Sequence, residues 1–265
     1  MSEKAKIAVI YYSAMGHAYQ VARAFEEGAK SQGAEVRLRK VAELASGDVI
    51  ATNPVWKAHL EATRDVPEAT LADLDWANGY VFGSPTRYGV MAAQMKQFLD
   101  SSGPLWGQGK LSHKPVTAFA GAMNPHGGQV NTISSIYTVM SHWGTIVVPT
   151  GYTDSSIYAA GGSPYGVIYT APGREATAVE EPVLVAARYM GARLARYAEV
   201  LAAAPHKVGL VRCLEAFLYE ERCKGGTGPR KSGTNNHDDL EGVDKCEPYC
   251  YLNAHRVLGR YFRRY

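Results

Sequence analysis

Short, almost wholly apolar segments that run straight into polar turns constrain the fold of this chain more than any other feature. Residues 6–12 (KIAVIYY), 79–83 (GYVFG) and 116–122 (VTAFAGA) have this form. A strand that is apolar along its whole length is typical of a parallel sheet covered on both faces. The first and second of these strands are followed by polar, glycine-bearing loops, which mark the carboxyl edge where such folds bind ligands.

Segments with apolar residues at helical spacing separate the strands. The predicted strands are 6–12, 35–40, 79–83, 116–122 and 145–149, and the main predicted helices are 18–31, 92–99, 129–143 and 181–203. Residues 45–76 are predicted as a long, polar, partly helical connection, and 151–173 as irregular. The alternation predicts an α/β fold, a doubly wound five-stranded parallel sheet with helices on both faces.

Composition excludes several classes of protein. Basic and acidic residues balance over 1–205, so the net charge of +3 comes from 206–265, and the main domain gives no reason to expect nucleic-acid binding. No segment approaches the ~20 apolar residues of a membrane span. Residues 7–12 are too short for a signal peptide, so we expect a cytoplasmic protein.

The first loop, residues 13–18 (SAMGHA), joins a buried strand to a helix. Backbone N–H groups at a helix N-terminus bind anions, Gly16 permits a tight turn, and Ser13 adds a hydroxyl. No Lys or Arg lies between Lys6 and Arg23, so dipoles alone must hold the anion. The loop lacks the G-x-x-x-x-G-K-[ST] pattern of a P-loop and the paired acids of a response regulator. Taken alone, the loop is more typical of an ordinary strand-to-helix turn than of an anion site.

Two further loops strengthen the prediction of a ligand site. In the second loop, residues 84–91 (SPTRYGVM), Tyr88 offers a face for stacking and Arg87 offers positive charge near a reduced ring. The third loop, residues 121–128 (GAMNPHGG), is rich in backbone donors and suited to the edge of a planar polar ring. A surface arginine in a turn and an unspecialised glycine loop are the alternatives for these two.

In their order and spacing, six motifs resemble the tryptophan-repressor-binding-protein family, which are type IV NAD(P)H:quinone oxidoreductases with a flavodoxin-like fold. They are YYSAMGH, GSPTRYGVM, QMKQFLDSSGPLW, GGQ, HWGTIVVPTGY and GGSPYG. The resemblance extends from about residue 6 to residue 204. It implies FMN as cofactor, NAD(P)H as co-substrate, quinones as acceptors and a homo-oligomer, a homotetramer in this family.

The resemblance also implies roles for individual residues. The flavin phosphate is assigned to the first loop, the ring to the second and the polar edge of the ring to the third. Trp106 matches an aromatic wall over the substrate, and His142 matches a histidine that approaches the flavin. No side chain is expected to act as acid, base or nucleophile, because the flavin carries the electron chemistry. The cofactor-binding residues assigned in this way, besides His142, are Ser13, Ala14, Met15, Gly16, His17, Ala18, Thr86, Arg87, Tyr88, Gly89, Gly121, Ala122, Met123, Asn124, Pro125, His126 and Gly127.

Three positions depart from the family pattern. Met15 stands where the family commonly has an aromatic residue tied to nicotinamide access, and Val90 stands where asparagine is expected. Residues 170–181 replace a stretch richer in glycine and serine. The departures bear on cofactor preference and on the strength of FMN binding.

Residues 206–265 form a basic tail that is predicted to be irregular, beyond a flavodoxin-like FMN-binding domain over 1–205. All four cysteines (Cys213, Cys223, Cys246 and Cys250) lie in it. Their spacing lacks the two tight pairs of a structural zinc site, so no metal is predicted.

Three functions are compatible with the sequence: a quinone reductase, a flavodoxin-like electron carrier, and a non-catalytic flavoprotein that serves as scaffold or regulator. The neutral main domain and Trp106 disfavour the carrier, whereas Met15 and Val90 leave room for the third. We therefore expect FMN-dependent two-electron reduction of quinones by NAD(P)H with ping-pong kinetics.

Overall fold

The computed structural model of the chain describes residues 4–171 and 178–203. The predicted tail, 206–265, and part of the divergent segment 170–181 lie outside these residues, so the expectations for them stay predictions. Within the described part, no helix is long and apolar enough to cross a membrane.

The sheet is built on five parallel strands in the order β2-β1-β3-β5-β6. Two more strands join it: β4 pairs antiparallel with the end of β3, and β7 pairs parallel with β5. The bounds are β1 Lys6–Tyr11, β2 Glu35–Lys40, β3 Gly79–Arg87, β4 Val90–Met91, β5 Pro115–Ala122, β6 Ile146–Val147 and β7 Val167–Thr170. The doubly wound parallel sheet predicted from the sequence is confirmed.

Helices cover both faces of this sheet. In chain order they are α1 His17–Ser31, α2 Gly47–Ala51, α3 Pro54–Ala62, α4 Leu71–Trp76, α5 Ala93–Asp100, α6 Gly103–Gly107, α7 Gln129–Trp143, α8 Ser155–Ala159 and α9 Glu181–Ala203. The short helices α2, α3 and α4 fill the segment that was predicted as a partly helical connection.

The pleat of β1 explains why its sequence is apolar throughout. Ile7 and Val9 belong to a core that α1 and α9 cover, whereas Ala8 and Ile10 belong to a second core on the opposite face, with α5 and α7. Successive side chains of a strand point to opposite faces of the sheet, so a strand that is buried on both faces has no solvent-facing positions for polar residues.

The last strand position is divided between two short strands, a feature that the sequence did not reveal. β6 pairs with the first two residues of β5, and β7 pairs with residues 119–122 further along the same edge. The segment between them contains α8. The expectation that residues 151–173 are irregular is therefore wrong for α8 and β7, whose few residues carry too short a pattern to stand out among glycine and tyrosine.

Candidate functional site

Strand register brings the three loops to one edge of the sheet. Tyr11 of β1 lies opposite Gly83 of β3, which in turn lies opposite Phe119 of β5. The chains that continue from these strands are therefore neighbours at the carboxyl edge. Contact between the second and third loops is close, since a Cβ added to Gly128 would lie 3.0 Å from the Cα of Gly89.

The first loop leads into the N-terminus of α1, where Gly16 is half-buried. Gly16 precedes the helix at φ +95°, a conformation that favours glycine, and no side chain of residues 4–171 or 178–203 caps the helix. The Oγ atom of Ser13 accepts a hydrogen bond of 3.0 Å from the Gly16 N–H within the turn. Uncapped amides and the positive end of the helix dipole together make this loop suited to binding an anion.

The second loop is a tight hairpin between β3 and β4. Its two turn residues, Tyr88 and Gly89, have φ values of +52° and +83°, as two-residue hairpin turns require. The Oγ1 atom of Thr86 accepts the N–H of Gly89 at 3.2 Å, and the side chain of Asn131 on α7 donates to the Gly89 carbonyl at 2.7 Å. The hairpin is thus fixed while the Tyr88 ring is fully exposed.

The third loop leads from β5 to the start of α7. Asn124 organises it: its Oδ1 accepts the N–H of His126 at 3.0 Å, and its main-chain oxygen accepts the N–H of Gly127 at 3.1 Å. Met123 is exposed, as are Asn124, Pro125 and His126. Gly121 and Ala122 belong to β5 itself and are buried, with Gly121 facing the ring of Tyr169.

Arg87 places a positive charge at this edge of the sheet. Its side chain is exposed, and its guanidinium acts electrostatically on the phenols of Tyr12 and Tyr169. Burial raises the pKa of both phenols, and the charge of Arg87 opposes that rise. Arg87 is therefore close enough to interact electrostatically with Tyr12, which precedes the first loop, and with Tyr169 on β7.

Helix α3 lies beside the first loop, which sequence reasoning missed. The side chain of Asn53, the residue before α3, contacts the Met15 sulfur at 3.9 Å, and the ring centroids of His59 and Tyr19 are 5.9 Å apart. A Cβ added to Gly16 would lie 3.4 Å from the Nδ1 atom of His59. No local sequence pattern indicates that a single histidine on a polar helix contacts a loop about 40 residues earlier in the chain.

Glu43 connects the first loop, α3 and α5. Its carboxylate accepts hydrogen bonds from the Tyr12 hydroxyl at 3.0 Å, the Trp56 indole at 3.2 Å and the Gln94 amide at 2.7 Å. Burial alone would raise the pKa of Glu43, but the bonds from Gln94, Tyr12 and the backbone N–H groups of Ala45 and Leu44 hold it below its usual value. Glu43 is therefore an anchor that sets the spacing of these elements.

Trp106 and His142 lie at the opposite edge of the sheet from the three loops. The 15-residue α7 begins beside the third loop and runs about 22 Å to its last turn, where His142 is exposed. Next to His142, Trp143 packs edge-on against Tyr80, near the start of β3. Within one chain the structure does not bring Trp106 or His142 to the loops, so their predicted role stays a prediction that needs a second copy.

The described residues contain no group of three or more His, Cys, Asp or Glu side chains placed to hold a metal ion. The four cysteines lie outside the described residues. The absence of a metal site therefore stays a prediction for the whole chain.

Comparisons with known proteins agree with this geometry. The sequence profile of the NADPH-dependent FMN reductase family matches residues 5–158. A curated protein of Deinococcus radiodurans, NAD(P)H dehydrogenase (quinone), is 47% identical over 174 residues, which are 66% of this chain and 87% of that protein. A protein of the same name from Sinorhizobium fredii is 39% identical over 75% of this chain and 99% of its own length.

A solved structure gives the same fold. The flavodoxin, WrbA-like protein from Agrobacterium tumefaciens superimposes with a TM-score of 0.52 at 24% identity, over 73% of this chain and 97% of that one. Fold and loops together define a flavodoxin-like α/β protein with three loops gathered at the carboxyl edge of its sheet. The chain belongs to the NADPH-dependent FMN reductase family, in the branch of the tryptophan-repressor-binding proteins, as its motifs indicated.

Proposed function

We propose that this protein is an FMN-dependent NAD(P)H:quinone oxidoreductase. The observation that carries the proposal is the N-terminus of α1 behind Gly16, which has no side-chain cap among the described residues and lies at the same edge of the sheet as the second and third loops. Relatives that this chain matches over most of their length bear the name NAD(P)H dehydrogenase (quinone). FMN bound at this edge would supply the redox chemistry for two-electron reduction of a quinone to the hydroquinone by NAD(P)H.

The residues at the carboxyl edge fit this cofactor. A phosphate dianion matches the backbone donors of the first loop, since hydrogen bonds to a charged group contribute about 1.5–3 kcal/mol each. The exposed ring of Tyr88 and the fixed hairpin offer a surface for a planar ring, and the Asn124 turn offers polar groups for its edge. Arg87 supplies positive charge that favours the reduced, anionic form of a flavin.

The residues of the chain bind the flavin, orient it and adjust its reduction potential, and they need not transfer protons. None of the residues assigned to the site is needed as an acid, base or nucleophile, because the cofactor carries the electrons. Since NAD(P)H and quinone would use the same face of the ring in turn, we expect ping-pong kinetics. Parallel double-reciprocal plots support this order, and intersecting plots contradict it.

We further propose that the working enzyme is a homo-oligomer, a homotetramer by resemblance to its family. Trp106 and His142 lie about one helix length from the loops of their own chain. If they line the substrate site, they must do so in a neighbouring copy. The exposed indole of Trp106 is available for such a contact. A cytoplasmic location is part of the same proposal.

Steady-state turnover of the full chain with NAD(P)H and benzoquinone tests the proposal. Quinone-dependent oxidation of NADH or NADPH, with FMN bound, is the expected result, and the ratio of the two rates gives the preferred nucleotide. An electron carrier would bind FMN but turn over slowly without a protein partner. A scaffold would bind FMN without measurable turnover.

A further inference from the structure

His59 faces the first loop from outside the three loops that define the site. Its Nδ1 atom lies 3.4 Å from the position of a Gly16 Cβ, and its ring packs beside Tyr19 in the first turn of α1. We propose that His59 is an additional ligand of the phosphate in the first loop, and that it takes up a proton when the phosphate binds. The inference rests on the proposed function, because the phosphate is that of FMN.

A polar cavity connects His59 with the first loop. It has a volume of about 60 Å³, and Ser13 and His59 both line it. Tyr11 lines it as well, and the Tyr11 hydroxyl is buried with no hydrogen-bond partner among the described residues. Leaving such a buried group unsatisfied is unfavourable, so the cavity favours a polar occupant.

The position of His59 is set by the packing of α3. Asn53 caps this helix by accepting hydrogen bonds from the N–H groups of Val55 at 3.0 Å and Trp56 at 3.2 Å. The Trp56 indole is in turn bound by Glu43, which also holds Tyr12 at the entrance to the first loop. The imidazole is therefore held beside the anion site before any ligand arrives.

The charges around His59 explain why a proton should follow the phosphate. The pKa of His59 is lowered to about 4, mainly by burial and in smaller part by the charges of Lys40 on β2 and His17 on α1. The other titratable groups around the cavity are Tyr11, Tyr12, Glu43 and Glu68. Lys40 donates to the main-chain oxygen of Thr63 at 2.7 Å, so its ammonium is already engaged.

An arriving dianion reverses this balance. An opposite charge within about 4–6 Å raises the pKa of a histidine by about 1–3. The first loop has no Lys or Arg of its own to pair with the phosphate, so His59 is in a position to supply the positive charge. One proton then moves from solvent to the imidazole, and no covalent bond changes. If the pKa rises to about 7, FMN binding strengthens about tenfold between pH 8 and pH 6 through this group alone.

Calorimetric titration of the flavin-free full chain with FMN, in buffers of different ionisation enthalpy, counts the protons taken up. Wild-type protein should take up close to one proton more than His59→Gln at pH 6, and should bind FMN about tenfold more tightly than that variant. Lys57→Gln, an exposed change on the same helix, is the matched control and should behave as wild type. Riboflavin, which lacks the phosphate, should show no difference between the proteins.

A second measurement needs neither a variant nor the flavin. Proton NMR of the wild-type histidines, with and without inorganic phosphate, should show the titration midpoint of His59 rising when phosphate is added. An unchanged midpoint, or equal proton uptake by wild type and His59→Gln, overturns the assignment. A midpoint that rises in a protein that binds no FMN upholds His59 as a phosphate ligand and refutes the proposed function instead.

Discussion

The indole Nε1 of Trp106 donates a hydrogen bond of 2.8 Å to the main-chain oxygen of His142. This bond joins α6 to the last turn of α7, and it fixes the two residues that resemblance assigns to the substrate site. Both are exposed, and both lie at the edge of the sheet opposite the three loops. The pair is therefore available for the contact with another copy of the chain that we propose.

The first prediction concerns this surface. Trp106→Ala should lower quinone turnover at least about tenfold while leaving FMN affinity within about twofold, because the indole touches none of the three loops of its own chain. Trp106→Phe, which keeps an aromatic face, should retain more activity. Steady-state kinetics measure the turnover, and flavin fluorescence measures the FMN affinity. A Trp106→Ala enzyme with normal turnover would contradict the assignment of Trp106 to the substrate site.

Mixing two inactive variants tests whether the wall comes from a neighbouring copy. Gly16→Val chains keep Trp106 but lose the phosphate turn, whereas Trp106→Ala chains keep the turn and lose the wall. Co-expressed mixed oligomers should regain activity at sites that combine the intact halves. No recovery, in oligomers shown to be mixed, would mean that each chain uses its own Trp106.

The second prediction concerns the phosphate turn. Gly16→Val should abolish FMN binding, because a β-branched residue at φ +95° is strained by about 1–3 kcal/mol and its Cβ meets His59. Gly33→Val is a matched control: Gly33 also has a positive φ, +79°, but it follows α1 and nothing lies within 4 Å of its added Cβ. That variant should lose stability and keep its flavin.

FAD should bind much less well than FMN, and equal affinities by fluorescence quenching would contradict the site.

The sequence predicted the parts of the site that depend on local pattern. The apolar runs of β1, β3 and β5 located the three loops, because runs of this length between polar turns are typical of strands buried on both faces. Helix α3 and His59 were missed because their contact with Gly16 depends on how a polar connection packs, which no local spacing encodes. Trp106 and His142 were identified by resemblance, but a linear sequence does not say which copy of a chain a residue serves.

The third prediction concerns Glu43. Glu43→Gln should lower the free energy of unfolding by about 1–3 kcal/mol at pH 7, because an amide places a donor against the hydroxyl of Tyr12 or the indole of Trp56. The pKa of Glu43 is held below its ordinary value in the folded state, so its contribution is present at neutral pH and is lost as the pH falls through the folded pKa. The two proteins should therefore converge in acid. Denaturant unfolding at several pH values measures this, with the exposed Glu61→Gln on α3 as control.

The fourth prediction concerns Arg87. Arg87→Met should make the two-electron reduction potential of the bound flavin more negative by about 20–30 mV, because removing about 1 kcal/mol of favourable charge interaction destabilises the reduced anion. Arg64→Met, at an exposed pair beyond α3, should leave the potential unchanged. Reduction by dithionite against dyes of known potential gives the value, and a shift in the positive direction would contradict the assigned role.

The last prediction is that residues 206–265 are dispensable. Helix α9 ends at Ala203, and its Gly191 packs so tightly on α1 that an added Cβ would lie 2.2 Å from the Phe25 carbonyl, so the described sheet is covered before the tail begins. A match of 202 residues already spans 99% of the Sinorhizobium fredii relative, so about a quarter of this chain has no counterpart there. A chain cut after Pro205 should keep its FMN content, quinone turnover and oligomeric state, the last measured by size-exclusion chromatography. The competing hypothesis is that the tail covers the flavin or binds a metal through Cys246 and Cys250. Flavin loss on truncation, or stoichiometric zinc in the intact chain, would favour that hypothesis.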